Sequence, residues 1–316
     1  MRRMVAVAFC LCLALLSTSG CSKSAPPPPA GKMQVVAGIA PIAYLAEKVG
    51  GENVSVMTLV TAGQSPHSYE AVPSQIVAVS KAKVFLASGW TFEQQLLNKL
   101  KEINRTMAVV DMRQGVTLRY MTADEVAGEA HEHEGDHAAE ASHEHEQGEP
   151  DPHIWLSPRN AVIMTEAIVR SFAAADPEHA ADYEKNGASL EQELGQLDKE
   201  LTEALAPLKG KKFFTYHPAF GYFADAYGLI QIPVEIEGKE PGFQQLNRFI
   251  EMAKEAGVKV IFVQPQFSAR SAQTVAEKIG GAVVKMDDLS HDYIENFRDM
   301  ARKIAAALKA GEGNAP

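Results

Sequence analysis

Short β-branched or apolar runs alternate twice with helix-like stretches along this chain, and that alternation constrains its fold more than any other feature. In the first set, residues 34–39, 54–60, 83–88 and 107–112 read as strands, with helical stretches at 42–49, 74–81 and 92–102 between them. The second set places strands at 212–216, 230–236, 258–264 and 282–285, and helices at 243–256, 271–279 and 292–308. Strands separated by helices pair in parallel, because each helix carries the chain back along the sheet before the next strand begins. Two such sets predict an α/β protein of two lobes, each a parallel sheet flanked by helices.

One long, rigid helix is expected to join the lobes. Asp176-Pro177 is a start signal and Pro207 a stop, with Leu190, Leu194, Leu197, Leu201 and Leu205 at helical spacing between them. A helix of about 30 residues spans about 45 Å, long for one lobe and suited to a strut between two. Its leucine stripe reads as core packing, not as a seam for a partner helix. The expected organisation is a first lobe over 33–175, the joining helix over 176–207 and a second lobe over 208–316.

Before residue 33 the chain reads as an address and a tether. Arg2 and Arg3 precede an apolar run over 5–17, a secretory pattern too short to cross a bilayer. Residues 1–20 are thus expected to be a signal peptide. The run ends Ser17-Thr18-Ser19-Gly20-Cys21, which resembles the lipidation signal of bacterial lipoproteins, with Cys21 as the lipidated residue. Cys10 and Cys12 leave with the signal, so neither a disulfide nor a cysteine metal site is expected. Residues 21–32 contain Pro26 to Pro29 and read as a stiff, extended tether.

Charge is placed as unevenly as hydrophobicity. The formal charge is −10, from 30 Lys and Arg against 40 Asp and Glu, which argues against non-specific nucleic-acid binding. No Lys or Arg occurs over 120–158, and the acids concentrate over 124–150. Of the 10 histidines, His131, His133, His137, His143 and His145 crowd into that stretch, with nothing apolar to bury beside them. It is expected to be a loop that binds metal weakly at several places, in an auxiliary role, against the bland alternative of a solvated acidic loop.

Three other histidines stand in distinctive settings: Pro66-His67-Ser68, Pro152-His153-Ile154 and Tyr216-His217-Pro218. His67 and His217 follow predicted strands, at the carboxyl ends where open α/β sheets bind ligands. Asp287 follows the strand over 282–285 in the same way. The adjacent prolines fix local backbone, which helps a ring that must point one way. Taken singly, each is more often a satisfied structural histidine; together they point to metal. Neutral imidazole suits zinc, and three nitrogens plus one oxygen fill a tetrahedron. Glu70 reads either as an acceptor for a ligand ring N–H or as an early-helix acid. His179 and His291 lack such settings and read as solvated.

Four ordered motifs now carry a resemblance: residues 63–70 around His67, 151–156 around His153, 216–223 around His217, and Gln264-Pro265-Gln266-Phe267-Ser268. Over 33–308 the chain resembles the solute-binding lipoproteins of bacterial ABC importers for zinc or manganese. That resemblance implies two lobes joined by one helix, with the metal in the cleft between them. It places the ligands at His67, His153, His217 and Asp287, with Asp288 or water as alternatives for the fourth. It also implies Zn²⁺ as cargo and a permease in the cytoplasmic membrane as partner, with the chain acting as a periplasmic or cell-surface monomer anchored through Cys21. The competing functions are a manganese carrier, a zinc hydrolase and an adhesin. No His-Glu-x-x-His helix or spaced general base supports the hydrolase.

Overall fold

The computed structural model describes residues 31–100, 102–120, 150–234, 242–267 and 269–312. The expected signal peptide, Cys21, most of the tether, the five insert histidines and Ser268 lie outside the described residues.

Among the described residues, eight strands form two four-stranded parallel sheets. The first holds β1 (Met33–Ile39), β2 (Val54–Val60), β3 (Val84–Ala87) and β4 (Ala108–Asp111), in the order β2-β1-β3-β4. The second holds β5 (Lys212–Thr215), β6 (Ile230–Pro233), β7 (Val260–Val263) and β8 (Ala282–Lys285), in the order β6-β5-β7-β8. Both sheets thus share one topology. In each, the connections reverse direction between the two middle strands, which opens a crevice at the carboxyl ends. Central strand β3 is buried at every position, as a strand covered on both faces must be, while edge strands β4 and β8 carry exposed residues.

The helices of the first lobe are α1 (Ala40–Gly50), α2 (Pro73–Val79), α3 (Thr91–Leu100) and α4 (Pro158–Ala175). Joining helix α5 (Ala180–Leu205) has 26 residues, about 39 Å at 1.5 Å per residue. It starts after the expected position because Pro177–His179 first forms a 3₁₀ turn. The Asp176 carboxylate there accepts hydrogen bonds from His179 and from the Tyr183 hydroxyl. The second lobe adds α6 (Gly221–Tyr227), α7 (Phe243–Glu255), α8 (Ala269–Ile279) and α9 (Tyr293–Glu312). Among the described residues no helix is long and apolar enough to cross a membrane.

The leucine stripe of α5 is buried throughout and joins the lobes into one hydrophobic core. That core runs from Val36 and Phe85 through Leu190, Leu194 and Leu197 to Phe223, Tyr293 and Phe297. The period of two along the second sheet sorts its faces. Phe213 and Phe262 point into the shared core, whereas Phe214, Ile261 and Val263 meet Phe249 of α7 and Val275 of α8 in a second cluster. A shared core resists wide separation of the lobes. The acidic insert leaves and returns at one point, where Tyr120 and Pro150 form an isolated antiparallel bridge.

Candidate metal centre

Each of the three histidines reaches the interlobe cleft from a different piece of backbone. His67 sits on a short turn, Pro66–Ser68, after β2, and its N–H donates to the Ser65 hydroxyl at 3.3 Å. His153 lies just before α4. His217 follows β5, where the Gln264 amide grips its backbone from both sides: Gln264 Nε2 donates to the His217 carbonyl at 2.9 Å and Gln264 Oε1 accepts its N–H at 3.3 Å.

The three Nε2 atoms converge. That of His217 lies 3.1 Å from His67 Nε2 and 3.2 Å from His153 Nε2. Nitrogens about 2.0–2.1 Å from a tetrahedral zinc stand about 3.3–3.4 Å apart, close to the two distances that His217 makes here. Among the described residues this is the one group of three or more His, Cys, Asp or Glu able to hold an ion. The cavity there measures about 10 Å³, room for one ion or water and not for an organic molecule. Around it stand Trp90, edge-on to His67, Trp155, edge-on to His153, and Phe267, stacked on His217 at 4.7 Å.

Electrostatics keep these rings in the form that binds metal. Burial first, and then the neighbouring His217 and His153, push His67 down to about 3, although the residue is exposed at the mouth of the cleft. Burial drives His217 well below its ordinary value. For His153 the ring orientation is set by Asp151, whose Oδ1 accepts from Nδ1 at 2.7 Å and from the His153 N–H at 2.9 Å. With its proton on Nδ1, His153 aims the Nε2 lone pair into the cavity. Burial alone would raise the Asp151 carboxyl, but His153 and Arg119 beside it hold it below the ordinary range. Arg119 Nη1 donates to its Oδ2 at 2.6 Å.

Of the two acids considered for a fourth position, Asp288 faces the cavity and Asp287 does not. Asp287 turns to the Leu289 N–H at 2.9 Å and the Gln266 amide at 3.4 Å, and does not line the cavity. Asp288 does line it, and its Oδ1 is buried without a hydrogen-bond partner. Burial raises the Asp288 carboxyl to about 7. Trp155 fixes this segment from the other lobe, its Nε1 donating to the Asp288 carbonyl at 2.6 Å. Of the remaining acids and histidines, Glu70 is exposed and lies outside any helix. His179 pairs with Asp176, and His291 with Glu47 at 2.9 Å, both away from the cleft.

Sequence reasoning missed four contributors. Asp151 stands two residues before His153, a spacing that could have flagged it. Gln264 was part of a motif without a role. Arg119 and Glu93 gave no local signal. Glu93 is fully buried in the first turn of α3 and accepts from the Gly89 and Trp90 N–H groups at 2.8 and 3.0 Å, which fixes Trp90 against the cavity. Burial pushes its carboxyl up to about 7, against those donors.

The family described as "Zinc-uptake complex component A periplasmic" matches over residues 35–307. A zinc-binding protein of Streptococcus pyogenes serotype M3, AdcA, is 31% identical over 259 residues, 79% of this chain and 49% of that protein. The chain therefore spans about half the length of such curated relatives. A crystal structure of ZnuA is 37% identical with a TM-score of 0.77, covering 87% of this chain and 99% of that one. A ZnuA deletion mutant with zinc bound is 36% identical with a TM-score of 0.76, covering 87% and 98% of the two chains.

Proposed function

We infer function from one premise: the chain belongs to the family of the periplasmic component A of the zinc-uptake complex. It captures Zn²⁺ outside the cytoplasm, in the cleft between its lobes, and delivers the ion to an ABC permease. The observation that carries this reading is the convergence of three Nε2 atoms, 3.1 and 3.2 Å apart, on a cavity sized for one ion. His67, His153 and His217 supply three nitrogens and Asp288, in preference to Asp287, the oxygen. Nitrogen donors favour zinc over the harder manganese ion, and the natural affinity series runs the same way. The chain is a binding protein and not an enzyme; a cavity of about 10 Å³ admits no ester or phosphate beside the metal. It works as a monomer tethered by a lipid on Cys21, and the His-rich insert gathers zinc near the cleft in a supporting role.

The ligands come from both lobes, so a bound ion ties the lobes together and gives a partner a loaded shape to recognise. The shared core along α5 limits the difference to a small tilt. The deciding experiment is metal analysis of protein purified without a tag or added metal, followed by competition between zinc and manganese after deletion of residues 124–149. Zinc is expected to fill the cleft at one equivalent. Equal occupancy by manganese at equal free concentration refutes the zinc assignment.

A further inference from the structure

Arg119 stands where the lobes meet, at the base of the acidic insert. Its Nη1 donates to Asp151 Oδ2 at 2.6 Å, and its Nε donates to Asp225 Oδ2 on α6 at 3.0 Å. Its backbone N–H donates to the Tyr222 hydroxyl at 3.1 Å, and that hydroxyl donates to the Asp151 carbonyl at 3.3 Å. Asp151 Oδ1, the oxygen that Arg119 does not hold in this way, orients His153. One guanidinium therefore connects a carboxylate that aims a ligand with the helix that follows His217 in the other lobe. The approach is close: a Cβ on Gly221 would lie 1.8 Å from Arg119 Nη1 and 2.8 Å from Asp151 Oδ2. Only glycine leaves room for the guanidinium there.

We propose that Arg119 is the positioning residue through which α6 of the second lobe holds His153 in its metal-binding orientation, so that drawing α6 away loosens the ion. The proposal rests on the zinc reading of the cleft. With Arg119 on Oδ2 and the His153 N–H on Oδ1, the Asp151 carboxylate is restrained at both oxygens, which keeps Oδ1 facing His153 Nδ1. The two arms of the guanidinium differ in strength. The Asp151 side chain is 0% exposed and that of Asp225 62%, and exposed ion pairs are weak while buried ones are costly to break. The α6 end is therefore the one that yields when the lobes tilt. Arg119 touches no ion itself; it acts on affinity through a histidine of its own lobe and senses the other lobe through Asp225 and Tyr222.

Gly221→Ala alters no ligand and no charge, and its added methyl, 1.8 Å from Arg119 Nη1 and 2.8 Å from Asp151 Oδ2, displaces the Arg119–Asp151 pair as a unit, while R119Q isolates the guanidinium. Zinc affinity by chelator competition, and zinc release by stopped-flow, are to be measured for the intact protein, G221A, R119Q, H153A and G221A/H153A. Metal-free melting temperatures serve as the control for folding. G221A should bind zinc about 10-fold more weakly and release it faster, the loss typical of disturbing a partner of a metal ligand. R119Q should lose at least as much. In the H153A background G221A should cost nothing further, because its effect passes through His153; a general structural defect would add its full cost. If R119Q does not fold, R119K, which keeps the charge but loses the forked donor, takes its place beside G221A. Wild-type affinity and release in G221A, or independent additive losses in the double variant, overturn the proposal. Failure of the unaltered protein to bind zinc at all overturns the cleft reading instead, before any variant is compared.

Discussion

Asp288→Asn should move the metal-free protein and the zinc complex in opposite directions. The carboxyl is fully enclosed, its Oδ1 has no hydrogen-bond partner, and burial raises it from 3.8 to about 7. A carboxyl whose folded value lies above its unfolded one favours folding while protonated and loses that contribution as pH rises from about 4 to about 7. At 1.36 kcal/mol for each pH step, the charged form at pH 8 costs the empty protein at most about 4 kcal/mol. An amide removes that charge and has Gln266 Oε1, the other unpartnered acceptor at the cavity, as a place to donate. The variant should therefore be more stable than the parent at pH 8 without metal, by about 1–3 kcal/mol once the imperfect fit of a buried amide is subtracted. With zinc the order reverses, because the ion loses an anionic donor.

The assay is denaturant unfolding of parent and variant at pH 5 and pH 8, each with and without zinc. The difference between the two proteins carries the test, not either pH profile alone. His67 and His217 are depressed in the folded state, so their contribution is lost as pH falls below 6.5 and opposes that of Asp288 over the same window. A variant less stable than the parent at pH 8 without metal, or one that binds zinc as tightly, refutes the placement of Asp288 at the ion.

Replacing His67, His153 or His217 singly by Ala should weaken zinc at least about 10-fold and erase most of the zinc-induced rise in melting temperature, both read by titration and thermal scans. Deletion of residues 124–149 should leave one tight zinc equivalent and remove any weaker ones; loss of the tight equivalent in calorimetry would contradict the cleft ligands. Leu197→Ala, in the middle of α5 and fully buried, should cost about 2–5 kcal/mol in a single unfolding transition. Two separated transitions would contradict one core shared by both lobes.

The fold was largely legible because each lobe repeats one pattern. β2 and β8 begin and end where the apolar runs do, and the leucine stripe of α5 is the buried one. Two helices escaped notice for different reasons. α6 has only seven residues, too few for a period to emerge, and ends on Gly228 in the left-handed conformation at φ 69°. α4 is announced only locally, by the Ser157 side chain that caps it and the Pro158 that opens it, directly after a stretch with no strand–helix pattern to lead into it. At the site, the three histidines were legible because prolines set them apart. The choice between Asp287 and Asp288 was not, since two adjacent acids after a strand differ only in direction, and direction depends on how Trp155 of the other lobe pins the segment. Arg119 was illegible for a deeper reason: its partners Asp151 and Asp225 lie 32 and 106 residues away.

The closeness of the three imidazoles has a consequence for transport. Nitrogens 3.1 and 3.2 Å apart, with burial holding His67 and His217 neutral, direct lone pairs at one another unless something positive or a proton stands between them. An ion relieves that repulsion and finds its ligands already in place, so capture needs little rearrangement. The same preorganisation makes spontaneous release slow. On the proposed reading, delivery requires that the ligands be pulled out of register, and the proposed ligands divide between lobes: His67 and His153 on one, His217 and Asp288 on the other. Because α5 runs through a single core, the accessible motion is a tilt about that helix and not a wide opening. A tilt of that kind strains the contacts that cross between the lobes, among them the Arg119–Asp225 pair, whose Asp225 end is exposed. A membrane partner that bends the two lobes apart by a small angle would thus spoil the coordination geometry without unfolding either lobe.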